Sequence, residues 1–281
     1  MCRLVAYQGL PVLLETVLVK PENSIVMQSL HARETNTPTN GDGFGLGWYA
    51  PQIDPIPALF VSVFPAWSDR NLLDLTSKII SPCFFAHVRA ASVGGINTYN
   101  CHPFRFNDWM LMHNGDIHDF ISVKRHLRHL LDDDIYHWIQ GETDSEHLFA
   151  LFLQLSKDRD LTQLSTVADV MMETIYEINR LVAEFGQAGP SFFNVCLTDG
   201  CRTLAIRYCS YDNLEPDSLH YFLGNHQAAN NHYQPENSTE KPDFALVSSE
   251  RLTDFHKGWH KIPSNHMLLI DRNLDIEFRV I

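Results

Sequence analysis

Residues 143–186 read "TDSEHLFALFLQLSKDRDLTQLSTVADVMMETIYEINRLVAEFG", and their helical period decides the fold class. The stretch opens on a capping box, Thr143 facing Glu146, with Leu148, Phe149, Leu151, Phe152 and Leu155 on one stripe behind it. A second helix follows. Leu161, Leu164, Val167, Met171, Ile175, Ile178, Val182 and Phe185 recur at steps of three or four, and Gly186 closes it. On both sides the pattern changes. "CRLVAYQG", "FGLGWYA", "ALFVSVF", "CFFAHVRAA" and "WMLMHNGDI" come before, short apolar runs rich in Val, Phe, Tyr and Trp that read as strands. Afterwards "SFFNVCLTDGCRTLAIRYC" reads as a hairpin turning at Asp199-Gly200, followed by "HYFLG", "FALVSSERL" and a last hairpin in "HMLLIDRNLDIEFRVI". Shorter helices are expected around "ENSIVMQSLHARE" and "NLLDLTSKII". Strands, two helices, then strands predict an α+β protein: two sheets packed together with helices outside. One domain over 1–281 is expected, with the polar segment 224–243 as an exposed loop.

The chain has 281 residues, 44% of them hydrophobic, enough to bury a substantial core. Its formal charge is −13, which argues against a non-specific nucleic-acid binder, since that role needs a basic face. A protein acting on small molecules fits better. The fifteen histidines show no metal-ligand spacing such as HExxH, so no metal or other cofactor is expected. The six cysteines form no CxxC pair, no apolar run is long enough to span a membrane, and the first residues lack the layout of a signal peptide. These features together are read as cytoplasmic.

Cys2 is the oddity of the N-terminus. One reading is a small apolar residue opening a buried strand. The other begins with removal of Met1, expected when the next side chain is small. A thiol would then stand beside its own free α-amine, whose reference pKa of about 7.7–8.0 lets it act as a base. One residue would supply nucleophile and base together. A redox role pairing Cys2 with Cys101 lacks a paired-thiol motif.

Three other segments carry polar residues where strands finish. Arg89, in "FFAHVRAAS", is either a structural ion pair or a fork for a carboxylate. Asn114 and Gly115, in "MLMHNGDI", are either a hairpin turn or an oxyanion hole built from a side-chain amide and a backbone N–H. Asp144, in "GETDSEHL", is either a macrodipole charge in a helix's first turn or the partner of a substrate ammonium. Taken as a set, they suit attack on the side-chain amide of an α-amino acid.

Cys2 after Met1, "GDGFGLGWY", "AHVRAAS", "NCHPF", "MHNGDI", "GETDSE" and "ALVSSERL…GW" resemble the class II glutamine amidotransferases, which are N-terminal-nucleophile hydrolases. The likeness is to the stand-alone branch that includes YafJ-like proteins and relatives acting on γ-glutamyl bonds. It implies a four-layer αββα sandwich. It also implies Cys2 as nucleophile, Arg89 on the substrate α-carboxylate, Asn114 and Gly115 as oxyanion hole, and Asp144 on the α-amino group. Ser92 falls where the family often has a carboxylate-contacting hydroxyl. The glycines of "NGDGFGLGW" resemble a close-packed strand near the pocket, with a flexible turn at Gly41 and Gly43 as the alternative reading. His102 and His113 are expected to be structural. Larger members carry a synthase domain that consumes ammonia, and no such segment is recognised here. The acceptor is therefore expected to be water or a separate synthase subunit. The substrate is expected to be glutamine or a γ-glutamyl peptide or conjugate, and a catalytically silent ligand-binding subunit remains the alternative from another class. The sequence does not specify an oligomeric state.

Overall fold

The computed structural model of the chain describes residues 2–35, 38–225, 241–255 and 257–281. Most of the expected loop at 224–243 therefore lies outside the described residues. In chain order the first half comprises β1 (Arg3–Leu13), α1 (Leu14–Leu18), α2 (Ile25–His31), β2 (Phe44–Ala50), β3 (Asp54–Ser62), α3 (Arg70–Thr76), β4 (Ile80–Val88), β5 (Phe104–Phe106) and β6 (Trp109–Asp116). Helices α4 (Phe120–Arg128), α5 (Asp133–Trp138), α6 (Asp144–Ser156) and α7 (Leu164–Phe185) follow. The chain then returns to β7 (Phe192–Thr198), β8 (Thr203–Cys209), β9 (His220–Gly224), β10 (Phe244–Ser248), β11 (Trp259–Lys261), β12 (His266–Ile270) and β13 (Ile276–Val280).

The strands form two sheets, ordered β11-β9-β10-β1-β4-β2-β3 and β13-β12-β8-β7-β6-β5. Every pairing is antiparallel, so side chains alternate between two faces, and both faces are buried. On β1, Val5 and Tyr7 pack against α1 and α2 in a core with Leu14, Val17 and Ile25, while Leu4 and Ala6 face the other way. On β6, Leu111 packs against the α4–α7 layer with Phe149 and Phe152, while Met110 and Met112 face the first sheet. Leu4, Ala6, Phe85, Met110, Met112, Cys196 and Ala205 share this third core between the sheets. Three apolar layers separate four layers of secondary structure, and the architecture is the expected αββα sandwich.

Several elements differ in detail from the sequence reading. The Thr143 hydroxyl accepts the Glu146 N–H at 3.2 Å, but the Glu146 carboxylate does not close the box. It accepts the N–H groups of Gln140 (2.9 Å) and Gly141 (2.7 Å) and so pins the approach to the helix. Helix α6 is buried on nearly every side from Asp144 to Leu153, because α4, α5 and α7 cover the face turned away from the sheet. Helix α7 begins at Leu164, leaving Leu161 before it, and α3 stops at Thr76 because Ile80 already belongs to β4. Helix α4 has a legible signal in Phe120, Val123 and Leu127, spaced three and four apart and all buried.

The glycines of β2 are sites of close approach. An added Cβ at Gly45 would stand 2.0 Å from the His102 carbonyl oxygen, and one at Gly47 would stand 2.4 Å from the Met110 sulfur. The segment carrying "NCHPF" thus rests directly on β2 backbone. Gly45→Ala is expected to destabilise the fold by roughly 1–3 kcal/mol, the usual range for an overpacked site. Urea unfolding checks this, and a wild-type midpoint would show that the backbone contact yields freely.

Candidate active site

Strand alternation places Cys2 and Asn114 on the inward faces of the two sheets. Cys2 shares the parity of Leu4 and Ala6, and Asn114 that of Met110 and Met112, so both extend the inward faces of their sheets. Beside Cys2, the β1–β4 register pairs Arg3 with Val88, which brings the residues after β4 alongside the thiol. The Ala90 N–H donates to Cys2 Sγ at 3.3 Å, and Sγ lies 3.4 Å from the Ala90 carbonyl oxygen. Burial pushes the Cys2 thiol above its ordinary pKa, opposed by the Ala90 hydrogen bond and by the charges of Arg89 and Arg3. On the other flank, Leu4 and Ser249 are tied twice: the Leu4 N–H donates to the Ser249 hydroxyl and the Ser249 N–H to the Leu4 carbonyl, both at 3.0 Å.

Arg89 is 2% exposed, and its guanidinium donates to the carbonyls of Val93 (2.8 Å), Gly94 (3.3 Å) and Gly95 (3.0 Å). It organises the loop that carries Ser92, which is exposed. Ser92 lines a cavity of about 660 Å³ together with Gly94, Asp116, Phe120, Lys124 and Glu142.

In the second sheet, Asn114 and Gly115 lie within β6, opposite Asn194 and Phe193 of β7, so the hairpin-turn reading does not apply. A Cβ at Gly115 would stand 2.0 Å from the Phe192 carbonyl oxygen, leaving no room for another residue there. Both polar atoms of the Asn114 amide are buried without a hydrogen-bond partner. Asp144 begins α6 and accepts the Ile117 N–H at 2.8 Å, which fixes it at the end of β6. Burial and the adjacent Asp144 raise the pKa of Asp116. His113 donates from Nε2 to the Phe192 carbonyl (3.0 Å), and its Nδ1 lies 2.9 Å from the Ser145 hydroxyl oxygen. Both ring nitrogens thus have partners.

Cys2 and Arg89 thus come together at one end of the first sheet, and Asn114, Gly115 and Asp144 at one end of the second. Strands β1 and β4 touch β6 across the gap. Cys101 is buried, and its Sγ lies 3.5 Å from the Ser62 carbonyl oxygen. Burial pushes that thiol up to about 11, and all six cysteines are free. Among the described residues, no group of three or more His, Cys, Asp or Glu is placed to hold a metal ion, and no helix is long and apolar enough to cross a membrane.

The chain matches the family "Glutamine amidotransferases class-II" over residues 12–276. It is also 34% identical to "Probable glutamine amidotransferase DUG3" of Saccharomyces cerevisiae, covering 97% of this chain and 82% of that protein. This chain is a class II glutamine amidotransferase. A second relative, "Gamma-glutamyl-hercynylcysteine sulfoxide hydrolase" of Mycolicibacterium smegmatis, is 24% identical over 95% of each chain. A glutamine aminotransferase class-II domain protein from Silicibacter pomeroyi superposes with a TM-score of 0.70 at 25% identity, over 100% of this chain and 99% of that one. The fold extends to the glutamine phosphoribosylpyrophosphate amidotransferase of B. subtilis, with a TM-score of 0.63 at 14% identity over 99% of this chain and 49% of that one. The amidotransferase is accordingly an enzyme acting on amide bonds.

The sequence did not single out Arg3 and the Ala90 backbone beside the thiol, or Asp116 beside Asp144. Only Arg3 left a trace, as a charge inside an apolar strand run. His87 of the amidotransferase stacks on His102 with ring centroids 4.1 Å apart, and neither ring makes a hydrogen bond. Burial, helped by the Arg89 charge, lowers the His87 pKa to about 3. The unfolded chain, with an ordinary imidazole near 6.5, therefore binds more protons than the folded one between those values. Stability should be full above pH 6.5 and fall progressively as the pH drops towards 3. His87→Gln should flatten that slope in denaturant unfolding followed from pH 7 to 4. An unchanged slope would show that His87 does not carry it.

Proposed function

We propose that the enzyme hydrolyses the γ-amide of glutamine, or of a γ-glutamyl compound, through a thioester on Cys2. The observation that carries this reading is the position of Sγ. It sits at the inward end of β1, against the Ala90 backbone next to Arg89, with the unpartnered amide of Asn114 on the facing sheet. With Met1 removed, the α-amine of Cys2 takes the thiol proton as sulfur attacks the amide carbon. The carbonyl electrons move onto oxygen, and the Asn114 amide and Gly115 N–H donate to that oxyanion. The protonated amine then gives its proton to the leaving nitrogen, the C–N bond breaks, and ammonia or an amine departs. Water loses a proton to the same amine and attacks the thioester, and glutamate leaves as the thiol is restored. Arg89 pairs with the substrate α-carboxylate, with the Ser92 hydroxyl beside it, and Asp144 holds the α-ammonium. An acceptor subunit could divert the ammonia, and water serves in its absence.

The γ-glutamyl conjugate is the second substrate class. It is favoured by the full-length likeness to a protein named as a γ-glutamyl hydrolase. Purified enzyme given glutamine and γ-glutamyl dipeptides should release glutamate, at a higher kcat/KM for the true class. Intact-mass measurement should show the loss of Met1. Cys2→Ala should abolish release and covalent labelling by a glutamine-like diazo-ketone, and Asn114→Ala should lower kcat about 10²–10³-fold. Undiminished turnover in Cys2→Ala would end the thioester reading. Binding of glutamine without turnover or labelling by wild type would favour a silent binding subunit.

A further inference from the structure

Two charged side chains in the cavity that Ser92 lines have no hydrogen-bond or ion-pair partner among the described residues. One is Asp116. It stands two residues beyond Asn114 on β6, so strand alternation puts the two on one face and carries the cavity wall up to the oxyanion-hole candidates. The other is Lys124, one turn after Phe120 on α4. Its ammonium stands 5.7 Å from the centre of the Phe120 ring. Burial and the Asp144 charge raise the Asp116 pKa, and burial and the Arg128 charge lower that of Lys124, opposed by Glu142 and Glu146. Each charge is thus held at a cost that a ligand of opposite sign would offset.

Arg89 and Asp144 are, by contrast, largely engaged with the protein itself. The buried Arg89 guanidinium spends its hydrogen bonds on three loop carbonyls. Asp144 is buried too, and accepts the Ile117 N–H on one oxygen and the Ser145 N–H on the other, both at 2.8 Å. An α-amino acid brings an ammonium with three donors and a carboxylate with two acceptor oxygens. One arginine and one aspartate already tied to backbone leave part of that demand unmet. Of the other carboxylates on the cavity wall, Asp119 accepts the Gln187 N–H at 3.0 Å and Glu142 is exposed to solvent. The cavity's volume of about 660 Å³ is in the range of small-molecule sites.

We propose that Asp116 and Lys124 are specificity-determining residues for the charged end of the substrate. Asp116 shares the α-ammonium with Asp144, and Lys124, with the Ser92 hydroxyl, takes the α-carboxylate beside Arg89. The cavity thereby selects an amino acid whose α-amine and α-carboxylate are both free, as glutamine and γ-glutamyl compounds carry them. Opposite charges set on β6 and α4 also fix which way round the ligand lies, with its side-chain amide towards Asn114. The inference rests on the hydrolase reading for the identity of the ligand.

Asp116→Asn and Lys124→Met should each raise KM for glutamate release about 10-fold or more, with kcat within about twofold. Asp119→Asn removes a charge from the same wall and should leave KM within about twofold. A second readout needs no turnover. Glutamine or a γ-glutamyl dipeptide titrated calorimetrically into Cys2→Ala should bind, and adding Asp116→Asn or Lys124→Met should weaken Kd about 10-fold. N-acetylated and α-amidated glutamine, each lacking one charge, should bind Cys2→Ala at least about 10-fold less tightly than glutamine. On each of these, the variant that matches the missing charge should cost less than about twofold further. Unchanged KM and Kd in both variants, an equal effect from Asp119→Asn, or full affinity for both analogues would overturn the assignment. If wild type releases no glutamate, the hydrolase reading fails while the Kd values still decide. If folded Cys2→Ala binds neither ligand, the assignment fails on its own account, whatever wild type turns over.

Discussion

The register of β1 is the constraint on which the rest of the site depends. Val5 pairs with Ser248 on one side and Ala86 on the other, so the strand is locked between two neighbours before its first residue is reached. A slip of one residue would turn Leu4 and Ala6 towards the helices and carry Cys2 out of the gap between the sheets. The double tie between Leu4 and Ser249 and the contacts of Ala90 with the thiol both act at the first residues of this register. They fix the sulfur where pairing alone would leave a strand end free to fray.

Both sheets change character at the same end. Inward-facing positions pass from Leu4 to Cys2, from Phe85 to His87, from Met112 to Asn114, from Cys196 to Asn194 and from Ala205 to Arg207. Each change takes one step of two residues, so the apolar core between the sheets ends abruptly against a buried polar layer. Several groups buried near that end of the sheets, Arg3, His87, His102 and Asn114 among them, lack hydrogen-bond partners. A buried polar group left unpaired typically costs about 1–3 kcal/mol. That penalty is tolerable where the group is to meet a substrate or hold one that does, and the core beneath supplies the stability that offsets it.

Most of the architecture was legible because its signals are local. Periodicity marked α6, α7 and the long strands, and the Asp199-Gly200 turn is where the β7–β8 hairpin reverses. Legibility fell where tertiary contact overrides local pattern. Glu146 abandons the capping box for Gln140 and Gly141, and Asn114-Gly115 runs straight on as strand because β7 pairs with it. The same holds for the site. Arg89, Asn114 and Gly115 stood out because each ends an apolar run, Asp144 because it opens a helix, and Cys2 because it stands directly behind Met1. The Ala90 backbone could not, since its contact with the thiol appears only once the β1–β4 register sets the two side by side. Ser92 was legible only through the family resemblance, and it lies on an exposed loop lining the cavity.

The state of the thiol bears on how the proposed chemistry starts. Burial raises the Cys2 pKa, and the Ala90 N–H, Arg89 and Arg3 only oppose that effect. That direction is opposite to the one found for cysteines whose surroundings pull the pKa well below neutrality. The proton must leave as sulfur attacks, which calls for a base within reach whose own pKa lies near the working pH. His87 and His102 cannot serve, because burial lowers both far below neutrality, and His113 has both nitrogens committed. In the proposed reaction the α-amine freed by removal of Met1, with a reference pKa of about 7.7–8.0, fills this role. The proposed mechanism therefore places nucleophile and base on one residue.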